Sequence, residues 1–375
     1  MPKGPRAAEP KPFKDEVGEG SIRVLGDAVA ALDPAFDLEA HVARSLDGLD
    51  ALELKGRIAQ IAASLDLGLA HLAPGDAFRL VADAAEAVPA PSAWALWPTT
   101  AFIESRSLDD PPEAIDALGR ITPFSSAEFA LRPLLDARPD ETLSALEVWV
   151  AADDQHLRRA ASESTRPRLP WGRQLKGFVA DPTPVIARIL DPLHDDPEEY
   201  VRRSVANNLN DVAKDHPELA VTTAHRWLGQ GGDGSARTVR HALRSLVKQG
   251  DPDALAVLGF AADAPVVVED LVVATPTVTV GGALELGFTL RNEGSDDAPV
   301  VVDYLVHHRR ADGSLGPKVF KLTTRTLAPG ESVALTKRHP MRPVTIRTYY
   351  AGEHLVQVQV NGRVQAEAPF QLRLG

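Results

Sequence analysis

Two hydrophobic periods divide the chain. From about residue 21 to about residue 262, apolar positions recur at spacings of three and four, the mark of amphipathic helices. In LELKGRIAQIAASLDLGLAHL, Leu54, Ile58 and Ile61 share one face and Leu65 follows. Asp33-Pro34, Pro74-Gly75, Asp110-Pro111-Pro112, Arg138-Pro139-Asp140, Asp181-Pro182 and Asp251-Pro252 punctuate this half as turns. Near Pro265 the period changes to two. Runs such as ALELGFTLRNEG, PVVVDYLVHHRR and PFQLRL are β-rich and are separated by Asn-Glu-Gly, Asp-Gly, Pro-Gly and Asn-Gly. About seven strands in roughly 110 residues fit an immunoglobulin-like sandwich without its disulfide.

Within the helical half, three segments read as copies of one unit: LRRAASESTRPRLPW, YVRRSVANNLNDVAKDHPE and TVRHALRSLVKQGDP. Aligning Arg158 with Arg202 and Arg202 with Arg240 gives offsets of 44 and 38 residues (202 − 158 and 240 − 202). Asp153-Asp154, Asp195-Asp196 and Gly232-Asp233 precede the three copies. Helix pairs repeating at about 40 residues imply a HEAT-type solenoid, because one pair cannot bury its apolar stripe alone. The expected fold class is therefore multidomain α and β. A mobile arm over 1–20 precedes an α-solenoid of HEAT-like repeats over 21–263 and an all-β immunoglobulin-like sandwich over 264–375.

On a helical wheel, Val201, Val205, Leu209 and Val212 fall on one side, opposite Arg203, Asn207, Asn210, Asp211 and Lys214. The 44-residue offset matches Arg159, Glu163 and Arg166 to Arg203, Asn207 and Asn210. The 38-residue offset adds His241, Ser245 and Lys248. Each polar face alone reads as a solvated helix surface; three aligned faces rich in Arg, Lys and Asn read either as such a surface or as a strip that grips a polyanion. Asn208 falls near the apolar side, where it ties backbone between repeats.

Composition narrows this picture. The net charge is −12, which argues against bulk affinity for nucleic acid but leaves room for a local basic groove, since charges beyond about 10 Å are screened at roughly 0.1 M salt. There are no cysteines, so disulfides and thiolate metal sites are excluded, which suits a reducing cytoplasm. The N-terminal MPKGPRAAEPKPFKDEVGEG lacks the apolar core of a secretory signal, and no run is apolar enough to span a membrane. HExxH, Walker and dinucleotide-binding motifs are absent, and no cofactor or metal is expected.

The loop Arg166-Pro167-Arg168-Leu169-Pro170-Trp171 is stiffened by its two prolines. It displays Trp171 either as a plug between repeats or as a platform for a flat or cationic group. Ser125-Ser126-Ala127-Glu128 fits a capping box, with Ser125 as N-cap and Glu128 three residues on.

These segments resemble a known family. SSAEFALRPLL, RRAASESTRPRLPWG and VRRSVANNLNDVAKDHPE look like the HEAT-like DNA alkylation-repair glycosylases, in the AlkC branch, whose longer members carry an immunoglobulin-like domain. The resemblance covers nearly the whole chain after residue 13. It implies an enzyme that hydrolyses the N-glycosidic bond of 3-methyladenine and 3-methylcytosine in duplex DNA without flipping the base; a monomer suits a solenoid that wraps DNA. Carried over by motif, Glu128, Glu163 and Asp211 are the candidate catalytic carboxylates, and Trp171 and Asn208 are candidate substrate contacts. Arg159, Arg166, Arg168, Arg202, Arg203 and Lys214 are candidate phosphate contacts, with Arg309 and Arg310 reaching DNA from the sandwich. Two other readings stand beside the enzyme: a non-catalytic lesion-sensing DNA-binding protein and a protein-interaction scaffold.

Overall fold

The structure is a computed structural model that describes residues 12–89, 92–343 and 348–374. Helices occupy the chain up to residue 257 and strands follow from residue 266, so the change of period marks a change of architecture. Two compact units result. One holds residues 1–215 and 231–238, the other residues 216–230 and 239–375. The first strand begins at Val266, beside the expected boundary near 264, but the compact units part earlier, within the helices.

The first unit contains α1 (Glu19–Leu32), α2 (Leu38–Leu46), α3 (Leu54–Gly68), α4 (Pro74–Ala87), α5 (Trp97–Arg106) and α6 (Pro111–Ile121). It continues with α7 (Arg132–Ala137), α8 (Pro139–Val150), α9 (Gln155–Ser164) and α10 (Lys176–Ala180). A continuous helical stretch follows: α11 (Thr183–Val185), a π-helical turn (Ile186–Leu190) and α12 (Asp191–Leu193). The wide turn precedes Pro192, whose ring cannot donate to the preceding turn and crowds it. The unit's last full helix is α13 (Glu199–Val212). Proline in the first turn of α4, α6 and α8 opens those helices as the turn signals predict. Helices α8 and α9 pack together, and α9 packs on α13, the copy 44 residues along.

Residues 1–11 of the expected arm lie outside the described residues, and residues 13–20 correct it. Phe13–Glu16 forms a 3-10 turn, and Phe13 stacks on Trp94 with centroids 4.8 Å apart. Val17 is fully buried, and the Arg57 guanidinium donates to the carbonyls of Lys14 and Val17. A Pro- and charge-rich composition hid two apolar anchors.

The second unit contains α14 (Pro217–Gln230), the second half of α15 (Ser235–Ala242), α16 (Arg244–Gln249), α17 (Pro252–Val257) and eight strands among the described residues. These are β1 (Val266–Val273), β2 (Thr277–Thr279), β3 (Ala283–Asn292), β4 (Ala298–Arg309), β5 (Leu315–Leu327), β6 (Ser332–Pro340), β7 (Gly352–Val360) and β8 (Arg363–Arg373). Sheet order is β1-β3-β6 in one layer and β2-β8-β7-β4-β5 in the other. All pairs are antiparallel except β2 with β8. Alternate residues of both layers meet in one core: Leu284, Leu286, Phe288 and Leu290 against Val300, Val302, Tyr304 and Val306. This is the expected immunoglobulin-like sandwich.

Candidate active site

The chain between α6 and α7 does not run as a helix. It turns twice over residues 122–131, and this overturns the capping box. The Ser125 hydroxyl donates to the Ala93 carbonyl at 2.8 Å and caps no helix. Glu128 is thereby released from any capping role and points elsewhere.

It points into a cavity of about 300 Å³ walled by Trp94, Trp97, Phe129 and Trp171, with Ser126 and Arg159 beside it. Trp97 stacks on Phe129 (5.2 Å) and leans on Trp94 (5.7 Å), which Phe13 backs. The aromatic wall is thus built from four separate stretches of chain. Burial pushes the Glu128 carboxyl above its ordinary range. Arg159 opposes that shift, and the nearby Glu163 carboxylate reinforces it.

Behind Glu128 lies a chain of alternating charges. Arg159 Nη1 donates to Glu128 Oε2 at 3.1 Å and to Ser126 Oγ at 2.6 Å. Its Nη2 is 3.7 Å from Glu163 Oε1. Arg166 Nη1 donates to Glu163 Oε1 at 2.7 Å, and its Nε donates to Asp211 Oδ2 at 2.8 Å. Lys214 Nζ completes the row at Asp211 Oδ1, 2.8 Å away. Ser204 Oγ fills the remaining oxygen of Glu163 at 2.7 Å. Buried charges persist only when paired in this way. Burial works against the charge of Arg159, but Glu128 and Glu163 outweigh it and hold the guanidinium above its usual range. The Tyr200 ring lies 5.4 Å from its Cζ. Of the three candidate carboxylates, Glu128 lines the cavity, while Glu163 and Asp211 stand behind it.

Trp171 is held from below. It is 65% exposed and sits in left-handed backbone, with φ 65°, which costs energy for a bulky residue. Two cations pin its loop. Lys55 Nζ donates to the Trp171 carbonyl at 2.5 Å. Arg132, fully buried, donates to the carbonyls of Ser164 (2.7 Å), Arg166 (3.0 Å) and Arg173 (2.7 Å, from Nε). Burial, with Arg166 and Arg173 nearby, lowers Arg132 to about 10. The side chain therefore stays charged at neutral pH while bonding only to backbone.

A family model described as DNA alkylation repair enzyme matches residues 122–245, which span Glu128 and the charge chain. A second, described as uncharacterised protein YhaZ, C-terminal Ig-like domain, matches residues 267–374. The uncharacterized protein YhaZ of Bacillus subtilis (strain 168) is 35% identical over 271 residues, 72% of this chain and 75% of its own. The solved structure of the Pseudomonas fluorescens alkylpurine DNA glycosylase AlkC, bound to DNA containing an abasic site analog, is similar at TM-score 0.85 and 34% identity. That match covers 97% of this chain and 100% of the other. The chain belongs to the AlkC family of DNA alkylation-repair enzymes.

The remaining candidates of this AlkC-family chain separate by exposure. Arg203 is exposed and pairs only locally, with Glu199 at 2.7 Å. Arg168 meets Asp215 at 2.9 Å through two nitrogens and is partly exposed, as is Lys214. Arg202 differs from expectation: it is buried and donates to the carbonyls of Asp196 and Pro197, so its guanidinium is directed at backbone and not outward. Asn208 is fully buried. Its amide donates to the Ser162 carbonyl at 2.8 Å and Thr165 Oγ1 at 3.1 Å, tying α13 to α9; this placement turns it away from the substrate contact that the motif implied. Arg309 ends β4, and Arg310 begins the turn that follows. Trp94, Trp97, Phe129 and Lys55 were missed by sequence reasoning; the AWALW pair of tryptophans was the available signal. Among the described residues, no cluster of His, Asp and Glu could hold a metal ion, and no helix is long and apolar enough to cross a membrane.

Proposed function

We propose that the chain is a monomeric DNA N-glycosylase that removes cationic N-alkylated bases, 3-methyladenine and 3-methylcytosine, from duplex DNA by hydrolysis without base flipping. The observation that carries this reading is a carboxylate, Glu128, set in an aromatic cavity beside an exposed tryptophan. Membership of the alkylation-repair family and the DNA-bound structure of a similar glycosylase support it.

An N3-alkylated base already bears positive charge, so it departs as a neutral molecule once the C1′–N bond breaks and needs no acid. The demand falls on the sugar, which becomes an oxocarbenium-like cation. Ionised Glu128 stabilises that cation and orients the water whose oxygen bonds to C1′; the water's proton passes to the carboxylate or to solvent. Trp171 and the aromatic wall receive the cationic base or the deoxyribose. Glu163 and Asp211 hold Arg159 and Arg166 in place, and so set the charge around Glu128. Arg168, Arg203 and Lys214, the accessible cations, contact phosphates and fix register.

A non-catalytic lesion sensor remains the second reading, because Arg159 pairs with Glu128 and so partly cancels its charge. Incubating duplex containing defined 3-methyladenine or 3-methylcytosine with excess protein separates the two. Free base appears under the first reading. Tight, salt-sensitive binding without free base establishes the second.

A further inference from the structure

The second unit carries a cavity of its own. Arg240 on α15 and Arg244 and Lys248 on α16 line one cavity, so they share a side of that pair of helices. Between that side and the β4–β5 pair lies a space of about 620 Å³. The helical half supplies Val247, Leu258 and Phe260 as apolar wall. The sheet supplies Val301 and Asp303 from β4 and Val319 and Lys321 from β5. On β4 these alternate with Val300, Val302 and Tyr304, which face the sandwich core, so Val301 and Asp303 occupy the outer face.

Charge is lopsided here. The lining has four cations, Arg240, Arg244, Lys248 and Lys321, and one carboxyl, Asp303. Asp303 is buried at the floor, where Gln359 Nε2 donates to it at 3.4 Å. Burial raises its carboxyl above the ordinary range, and Lys321 opposes that. In a chain of net charge −12, this is a local excess of positive charge. A DNA phosphate backbone would satisfy the cations but would leave the apolar depth empty. A deep apolar pocket with a few convergent charged groups is the form of a small-molecule site.

We propose that this cavity binds a small organic anion with an apolar or aromatic body, the body against Val247, Leu258, Phe260 and Val301 and the anionic group at the cationic mouth. The proposal stands independently of the glycosylase reading.

The test titrates the full chain with 1-anilinonaphthalene-8-sulfonate, an aromatic body carrying one sulfonate, and follows dye fluorescence. Saturable binding to one site is expected. Arg244→Glu with Lys321→Glu weakens it by about tenfold or more, and Leu258→Trp, which fills the space and spares the cations, prevents it. Both variants keep the native thermal transition and the same affinity for alkylated duplex. If the glutamates unfold the chain, Arg244→Gln with Lys321→Gln replaces them with the same expectation at smaller amplitude. Non-saturable dye binding, or affinity unchanged in both variants, overturns the proposal. So does a loss of duplex affinity matching the loss of dye affinity, which would mark the cations as phosphate contacts.

Discussion

Replacing Glu128 by Gln removes one negative charge and almost no volume. The amide oxygen can still accept from Arg159 Nη1, now 3.1 Å from the carboxylate, and the aromatic wall is untouched. What disappears is the attraction between a carboxylate and the sugar cation. Two unit charges about 4 Å apart interact by about 4 kcal/mol at an effective dielectric near 20, equivalent to roughly a thousandfold in rate. Arg159 already cancels part of that field, so the expected loss lies between about 10² and 10³. The assay is single-turnover release of 3-methyladenine from a defined duplex at saturating protein, with duplex affinity measured alongside by fluorescence anisotropy. Affinity should change by less than about twofold, because Glu128 faces the cavity and the phosphate contacts lie on other residues. A loss of base release below about threefold would refute the reasoning, since a catalytic carboxylate cannot be neutralised that cheaply.

Further expectations follow from the same geometry. Glu128 must be ionised to act and its carboxyl is raised, so base release should climb with pH through an apparent pKa above the usual carboxylate value of 4.5. Glu163→Gln removes a like charge and should move that apparent pKa downward; an upward shift in the pH–rate profile would contradict the charge chain. Lys55→Met frees the Trp171 carbonyl. It should slow base release by about tenfold or more through misplacement, raise acrylamide quenching of the exposed tryptophan, and be rescued by Lys55→Arg, with duplex affinity constant. Arg203→Ala should lower the slope of log affinity against log salt by about one without changing the melting temperature, because its exposed pair with Glu199 contributes little.

Sequence revealed the architecture where period and local spacing carry the information. The change near Pro265 is followed by β1 at Val266, and the 44-residue offset pairs helices that do pack, α9 and α13. Even the link between Glu163 and its flanking arginines is local: Arg159 stands four residues before it and Arg166 three after. Burial was not legible. Three of the arginines expected as phosphate contacts, Arg159, Arg166 and Arg202, are turned inward to carboxylates or carbonyls, which only tertiary packing decides. Contacts between distant segments were equally hidden. Lys55 meets Trp171 across 116 residues, and the aromatic wall draws Phe13, Trp94 and Phe129 together. The capping box failed for the same reason: the pattern at Ser125–Glu128 is local, but the Ala93 carbonyl takes the Ser125 hydroxyl.

The central claim is that the reacting sugar sits against Glu128 in the aromatic cavity. A crystal structure of the full chain with duplex DNA carrying a cationic azasugar in place of the damaged nucleotide tests it most directly. The account predicts the azasugar nitrogen within ion-pair distance of the Glu128 carboxylate, with Trp171 alongside. An azasugar lodged away from that cavity, with Glu128 still paired only to Arg159, would contradict it.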